Sequence, residues 1–208
     1  MALIVVDHPL AQHLMATLRD RTTPAHLYRA ACTELSRLLI FEATRGLPLT
    51  ERRIHTPLEE TTVRQLVAPP AVVPVLRAGL GMLGAALELF PDAPVGFVGL
   101  RRDEHNFTPA RYYCKLPPLA GRDALCLDPM IATGGSAEEA LKLIQAEGPR
   151  SLTMVAVVAA PEGIDRLAKA HPGVAVFCAA LDRELNARRY ILPGVGDFGD
   201  RLYGTEEA

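Results

Sequence analysis

The chain has 208 residues, of which 49% are hydrophobic and 22% charged, and its formal net charge at pH 7 is −2. This composition is ordinary for a globular protein, and the length favours one domain, residues 1–208, with a substantial core. A charge so close to neutral argues against a nucleic-acid or membrane surface as the partner.

The N-terminus and the cysteines both favour a cytoplasmic protein. After Met1 the chain has only five apolar residues before Asp7, with no basic start, so no secretion signal is expected. No apolar stretch approaches the length of a membrane span. The cysteines show no CxxC or His-rich spacing, so we expect no zinc site and three small buried hydrophobes in a reducing compartment. The four are Cys32, Cys114, Cys126 and Cys178.

The first third of the chain predicts a strand and two helices. The stretch VDHPLAQHLMATLRDR reads as a short strand followed by a helix. The stretch TTPAHLYRAACTELSRLLIFEATRG predicts a longer helix, with Thr23 as its N-cap, Pro24 at its first position and Gly46 ending it. Residues 47–70 look irregular, apart from short strand-like pieces around Ile54 and Val63.

From Ala71 onward, apolar runs alternate with helical patterns. The runs AVVPVL, APVGFVGL, ALCLD, SLTMVAVVAA and VAVFCAAL are continuous, as in strands covered on both faces. Helical stretches at 80–90, 135–147 and 161–170 separate most of them. This alternation predicts an α/β fold in which helices flank both faces of a parallel sheet.

Two segments interrupt this alternation. The polar and aromatic stretch at about 101–118, RRDEHNFTPARYYCKLPP, is expected to form a hairpin or arm. The tail from about 186 to 208 is rich in glycine, so the chain turns sharply there and presents bare backbone groups.

The stretch LRAGLGMLG offers a first candidate ligand site. Gly79, Gly81 and Gly84 spell GxGxxG after a strand, and Asp103 follows near the distance of a ribose-binding acid in dinucleotide folds. The motif alone is weak. Glycines that let a helix pack closely on the sheet explain it at least as well.

The stretch ALCLDPMIATGGSAEEALKLI offers a second candidate ligand site. A strand ends at Asp128, and Thr133-Gly134-Gly135-Ser136 leads into a helix whose first amides lack intrahelical partners. Glycines let a phosphate approach those amides, and the hydroxyls can donate to its oxygens. A turn capped by Ser136 is the structural alternative. A carboxylate five residues earlier fits two sugar hydroxyls, so the pair predicts a ribose-5-phosphate site.

The stretch LDPMIATGGS resembles the phosphoribosyl-diphosphate loop of type I phosphoribosyltransferases. Pro129 stands where a second acidic residue is common, which is the pattern of the uracil phosphoribosyltransferases. Further stretches resemble that family in the same order: VDHPL, VPVLRAGLGM, RRDEHNFTPARYYCKLP, APEGI and YILPGVGDFGDRLYGT. The resemblance covers nearly the whole chain.

The resemblance implies a pentosyltransferase that converts uracil and phosphoribosyl diphosphate to UMP and diphosphate, with Mg²⁺ as cofactor. It implies the type I fold with a protruding β-arm and a C-terminal hood that binds the base. Homodimers or larger homo-oligomers are usual in the family, and GTP activates some members. The sequence leaves both open for this chain.

The resemblance also implies site residues. Arg77, Asp128 and Asp197 are the expected catalytic residues. Those expected to bind phosphoribosyl diphosphate are Arg77, Arg102, Asp128, Pro129, Met130, Ile131, Ala132, Thr133, Gly134, Gly135, Ser136 and Asp197. Those expected to bind uracil are Ile191, Gly196, Asp197 and Phe198.

Several of these assignments have a structural alternative. Arg77 can be a surface arginine, and Asp197 can simply form a turn. Phe198 stands where relatives commonly carry a small residue; if backbone groups read the base, its ring is expected to point away, under the arm or against a partner subunit. Two other functions stay open: an RNA-binding regulator, disfavoured by the lack of a basic stripe, and a redox enzyme using GxGxxG.

Overall fold

A computed structural model describes residues 1–102 and 109–205, and the side chains of residues 1–101 and 110–205. Its strands are β1 Ala2–Val5, β2 Leu49–His55, β3 Glu60–Leu66, β4 Ala71–Leu76, β5 Phe97–Arg102, β6 Pro109–Lys115, β7 Asp123–Leu127, β8 Met130–Ile131, β9 Ser151–Ala159, β10 Ala175–Leu181, β11 Glu184–Leu185 and β12 Ile191–Leu192. Its helices are α1 Pro9–Arg19, α2 Ala25–Ala43, α3 Leu80–Leu89, α4 Gly135–Ala146, α5 Pro161–Ala170 and α6 Phe198–Tyr203.

The central sheet has the order β1-β10-β9-β7-β4-β5-β6, with β8 added beside β9. Adjacent strands of this sheet pair in parallel, except that β6 runs antiparallel to β5. The predicted parallel sheet is therefore confirmed. The arm predicted at 101–118 corresponds to the β5–β6 hairpin, of which 103–108 lie outside the described residues.

Helices cover both faces of this sheet because successive strand residues point to opposite sides. Val72 packs in a core with α1, α2, α3 and α6, while the adjacent Val73 packs in a second core with α4 and α5. The three predicted strand-linking helices at 80–90, 135–147 and 161–170 are found within a residue of those bounds.

Three local predictions differ from the structure. Residues 47–70 are more regular than predicted: the strand-like pieces around Ile54 and Val63 belong to β2 and β3, which pair along seven residues each as an exposed antiparallel hairpin. Thr23 does not cap α2, because its hydroxyl donates to Thr17 O (2.7 Å) and Pro24 occupies the cap position. The tail is more regular than its glycines suggest, with the β11–β12 hairpin followed by α6.

The predicted burial of three cysteines is confirmed. Cys32, Cys126 and Cys178 are buried and Cys114 is exposed, all as free thiols. Burial raises the pKa of Cys32 to about 12, a value at which the thiol stays protonated near neutral pH. Among the described residues, no helix is both long and apolar enough to span a bilayer.

Candidate active site

A cleft opens at the carboxyl edge of the sheet, between β4 and β7. After β4 the chain moves to β5 on one side, and after β7 it moves to β9 on the other, so strand order reverses between them. Ligands of open α/β sheets bind at such switch points. The cleft of about 150 Å³ is lined by Val75, Leu76, Arg77, Ala78, Leu100, Asp128, Met130, Ala132, Thr133, Gly134, Gly135, Ser136 and Ala137.

The wall formed by the start of α4 is built to bind an anion. Gly134 occupies the N-cap position with φ +77°, a left-handed conformation that favours glycine. The first intrahelical bond is donated by Glu138 N to Gly134 O (2.8 Å), so the amides of Gly135, Ser136 and Ala137 precede it. These residues line the cleft, where their amides and the positive end of the helix dipole attract negative charge. Ser136 is therefore not the N-cap.

Asp128 follows β7 directly and stands on the same cleft. Its amide donates to Val155 O (3.2 Å), which continues the β7–β9 ladder by one residue and fixes the position of the carboxylate. The half-buried carboxylate accepts a long bond from Met130 N (3.5 Å). The predicted pairing of a carboxylate with the loop at the start of α4 is thus present in one cleft.

Between Asp128 and the α4 loop, the chain is held by its backbone. Pro129 O accepts from the amides of both Val157 and Val158 (3.0 Å each). Ile131 is fully buried, and its carbonyl accepts from Ala160 N (2.9 Å). Pro129 and Ile131 therefore support the loop from behind, whereas Met130, Ala132 and Thr133 line the cleft.

The opposite wall is the loop between β4 and α3. Arg77 is exposed, follows a cis peptide bond with Leu76 and lines the cleft. Gly79 is required by close approach, because a Cβ there would lie 2.4 Å from Leu127 O and 2.6 Å from Val75 O. A Cβ on Gly81 would lie 2.6 Å from Leu202 in α6. Helix packing therefore explains these two glycines of the GxGxxG motif. Asp103 lies outside the described residues.

The C-terminal tail lies beside this second wall. Tyr203 OH donates to Arg77 O (3.1 Å), and a Cβ on Gly199 would lie 4.0 Å from that of Ala78. Burial is the main cause that raises the pKa of Tyr203, and the nearby positive charge of Arg77 opposes it. Helix α6 is thereby held against the loop that carries Arg77.

The four residues predicted to bind uracil lie in this tail and do not line the cleft. Gly196 is exposed with φ +77°. Asp197 caps α6, accepting from Asp200 N (3.1 Å). Ile191 is buried in β12, and Phe198 is fully buried. The Phe198 ring meets Tyr28 of α2 edge to face, with ring centroids 5.1 Å apart, so it packs neither under the arm nor on a partner surface.

Of the residues predicted to bind phosphoribosyl diphosphate, eight meet in one cleft: Arg77, Asp128, Met130, Ala132, Thr133, Gly134, Gly135 and Ser136. The predicted Arg102 has its backbone in β5, and its side chain lies outside the described part of the chain. Sequence reasoning missed Arg19 and Asp182, which hold the tail. Asp182 carries a signal that was available, because it follows a buried strand directly, as Asp128 does.

Comparison with known proteins assigns the family. The family described as "Uracil phosphoribosyltransferase" matches residues 5–205. The chain belongs to the uracil phosphoribosyltransferase family. It is 47% identical to the uracil phosphoribosyltransferase of Thermus thermophilus over 208 residues, covering 99% of this chain and 100% of the relative. It is 46% identical to that of Agathobacter rectalis over 205 residues, covering 98% of each.

Solved structures agree with this assignment. The AQ2163 protein from Aquifex aeolicus superposes with a TM-score of 0.95 at 38% identity, covering 99% of this chain and 100% of that one. A hypoxanthine-guanine phosphoribosyltransferase from Bacillus anthracis shares the fold, with a TM-score of 0.53 at 11% identity, covering 76% of this chain and 80% of that one. The predicted family, the type I phosphoribosyltransferase fold and the pentosyltransferase class are confirmed.

Proposed function

We propose that this uracil phosphoribosyltransferase binds phosphoribosyl diphosphate in the β4–β7 cleft and transfers its 5-phosphoribosyl group to N1 of uracil, giving UMP and diphosphate in pyrimidine salvage. One observation carries the proposal: the anion-binding start of α4, the carboxylate of Asp128 and the guanidinium of Arg77 all belong to residues of a single cleft. Together they match the three parts of the substrate, its 5-phosphate, its ribose and its diphosphate.

The 5-phosphate is assigned to the amides of Gly135, Ser136 and Ala137. The Thr133 and Ser136 side chains, both half-buried on the cleft, add hydroxyl donors. Asp128 is then placed to accept from the two ribose hydroxyls. The cleft volume of about 150 Å³ lies below the usual range of roughly 300–1,000 Å³ for small-molecule sites. It therefore suits the ribose-5-phosphate part, with the diphosphate reaching Arg77 on the cleft wall and the base outside the cleft.

The diphosphate is assigned to Arg77, with Arg102 proposed as a second contact on the strength of the family resemblance. A guanidinium binds phosphate oxygens in pairs and stays charged at any working pH. Diphosphate is also the leaving group, so positive charge here stabilises the negative charge that develops as the C–O bond breaks.

The reaction needs positioning and charge more than a nucleophile. Cleavage of the anomeric C–O bond produces an oxocarbenium-like state, which a carboxylate beside the ribose stabilises. Asp128 is assigned this role. Cys126 lies in β7, two residues before Asp128, but it is excluded as a nucleophile. Burial raises the pKa of its thiol, and the negative charge of Asp128 raises it further. Asp197, at the cap of α6, is proposed to contact the substrate from the tail side.

The donors present in the cleft suit Mg²⁺. Among the described residues, no group of three or more His, Cys, Asp or Glu side chains is arranged to hold a metal. The cleft instead offers the hard oxygens of Asp128, Thr133 and Ser136. Mg²⁺ keeps several waters and binds through one or two carboxylates together with substrate phosphates. Asp128 would be its protein contact, and the ion would neutralise charge on the departing diphosphate.

Uracil is assigned to the tail, with its edge read by backbone groups at Ile191, Gly196 and Phe198. The Phe198 ring is buried against Tyr28, so any part of this residue in base recognition would fall to its backbone. Uracil presents an N3–H donor beside an O4 acceptor, and cytosine presents the reverse. Backbone groups paired with uracil would face like groups on cytosine, which sites of this kind reject by about 10⁴-fold.

The test is a product assay with phosphoribosyl diphosphate and four bases: uracil, cytosine, hypoxanthine and orotate. UMP formation with uracil alone is expected. Transfer to cytosine at a comparable rate would contradict backbone recognition of the base. NADH titration followed by fluorescence, and filter binding with pyrimidine-operon leader RNA, test the two alternative functions.

Three further properties are proposed from the family resemblance and the sequence. They are a homodimer or larger homo-oligomer, activation by GTP and a cytoplasmic location. Sedimentation equilibrium tests the first, and UMP formation with and without GTP at subsaturating substrate tests the second. Cell fractionation tests the third.

A further inference from the structure

A partly buried ion pair holds the tail at the turn between Ile191 and Gly196, two of the positions proposed to read uracil. Asp182, 7% exposed, follows β10 at the carboxyl edge of the sheet, and Arg19 is the last residue of α1. Arg19 Nη2 donates to Asp182 Oδ1 (2.5 Å) and Arg19 Nη1 to Asp182 Oδ2 (2.9 Å). The guanidinium therefore meets the carboxylate with both of its terminal nitrogens.

The same pair binds both polar backbone groups of Gly194. The Gly194 amide donates to Asp182 Oδ2 (2.8 Å), and Arg19 Nη1 donates to the Gly194 carbonyl (2.9 Å). Gly194 itself stands in a closed turn, with φ +66° and an ideal Cβ only 2.2 Å from Ile191 O. The turn cannot rotate without breaking these bonds, because each polar group of Gly194 already has a partner of fixed direction.

Backbone recognition of a base depends on such fixed directions. Ile191 and Gly196 flank Gly194, and a carbonyl or amide there discriminates between bases only if it keeps its orientation. A loosened turn still closes the chain but presents its donors and acceptors at variable angles. Binding of the base is then weakened without any change at the phosphate loop on α4.

We propose that Arg19 and Asp182 are positioning residues for uracil recognition, acting through Gly194. The proposal rests on the proposed function, namely that the tail reads the base. It assigns the pair no contact with the substrate. It predicts a larger effect on uracil than on phosphoribosyl diphosphate, since α4, β7 and the β4–α3 loop form the walls that hold the latter. Asp197, at the cap of α6, is the one proposed contact with phosphoribosyl diphosphate that comes from the tail.

The chain offers a matched control. Asp123 is equally exposed at 7% and ion-pairs with Arg150, but it begins β7 at the amino edge of the sheet, away from the cleft. Asp182→Asn and Asp123→Asn remove the same charge from the same kind of pair. In Asp182→Asn one oxygen can still accept from Gly194, while the new amide opposes the guanidinium.

The experiment compares the KM for uracil, the KM for phosphoribosyl diphosphate and the thermal midpoint of the two variants. Asp182→Asn is expected to raise the uracil KM at least tenfold and to leave the other KM within about twofold. Asp123→Asn is expected to lower the midpoint without moving either KM. Parallel changes of both constants in Asp182→Asn, or an equal uracil effect in Asp123→Asn, would overturn the proposal.

Three further variants keep the test decisive. If Asp182→Asn does not fold, Arg19→Lys and Arg19→Ala are compared: lysine should give an intermediate uracil KM, and a normal uracil KM in both would overturn the proposal. Gly196→Ala strains the backbone at a proposed uracil-reading position, because its φ is +77° and its Cβ would lie 3.3 Å from Arg201 Cδ. A normal uracil KM in the pair variants refutes positioning by Arg19 and Asp182, and a normal uracil KM in Gly196→Ala shows that the tail assignment fails too.

Discussion

Replacement of Phe198 by alanine separates a role in stability from a role in base recognition. The ring is fully buried and lies edge to face on Tyr28 at 5.1 Å. Its removal leaves a cavity between α2 and α6. Phe→Ala substitutions in protein cores lower the free energy of unfolding by about 3–5 kcal/mol. In a chain of 208 residues each 1 kcal/mol lowers Tm by about 2–4 °C, so we expect a fall of roughly 6–20 °C.

The kinetic effect is expected to be much smaller than the thermal one. Because the ring points into the core, the backbone of the tail keeps its partners, and kcat/KM for uracil should change less than tenfold, about 1.4 kcal/mol. Both quantities are measured on the same preparation, Tm by circular dichroism and kcat/KM at a temperature well below the variant's transition. Negligible use of cytosine should be retained.

Leu39→Ala is the control for this prediction. Leu39 is also fully buried, in the same core and on the same helix as Tyr28, about 16 Å further along its axis at 1.5 Å per residue. It should lower Tm without any specific effect on uracil. A loss in kcat/KM beyond tenfold in Phe198→Ala, absent from Leu39→Ala, would show that the ring shapes the base site and would refute backbone-only recognition.

Three further predictions concern the rest of the molecule. Asp128→Asn should lower kcat more than the affinity for phosphoribosyl diphosphate, whereas a loss confined to KM would limit Asp128 to ribose binding. Gly163→Ala should raise the KM for phosphoribosyl diphosphate about tenfold or more, because its Cβ would lie 2.4 Å from Ala132 O behind the phosphate loop; Gly173→Ala, with nothing within 4 Å, should not. The hydrogen bond from Arg150 holds the pKa of Asp123 below its usual value, so the ionised carboxylate stabilises the fold above about pH 4 and this contribution is lost at lower pH. In urea unfolding, the difference in free energy of unfolding between wild type and Asp123→Asn should shrink as the pH falls below about 4.

The fold was predictable wherever apolar pattern decides it. The strands buried on both faces and the three helices between them follow from continuous apolar runs and from amphipathic stretches. Strand-like pieces were predicted around Ile54 and Val63, but the full length and the pairing of β2 and β3 were not, because their residues are mostly exposed and give a weak apolar pattern. The short helix α6 was missed because glycines and a proline around Asp197 indicate turns, while its stability comes from Phe198 and Leu202 in the core.

The site was predictable only where side chains or glycines mark it. Asp128 and the glycines at the start of α4 were visible because their chemistry follows from residue type and order. The hydrogen bonds from Arg19 and Asp182 to Gly194 could not be predicted. Arg19 lies 163 residues from Asp182 in the chain and resembles any basic residue at the end of a helix. Pairing over that distance depends on the parallel placement of β1 beside β10, which sequence pattern does not specify.

Asp128 and Asp182 show why one sequence pattern can serve two purposes. Each follows a buried strand at the carboxyl edge of the same sheet, so residue type and position do not distinguish them. Their surroundings do: Asp128 borders a cleft shared with the start of α4, whereas Asp182 accepts three bonds from Arg19 and Gly194. The bonds of Asp182 fix the direction of the backbone at Gly194, and the position of Asp128 on a cleft allows it to bind a sugar. The two proposals thus assign substrate binding and base selection to separate aspartates on the same edge of the sheet, which is why Asp128→Asn and Asp182→Asn are expected to change different kinetic constants.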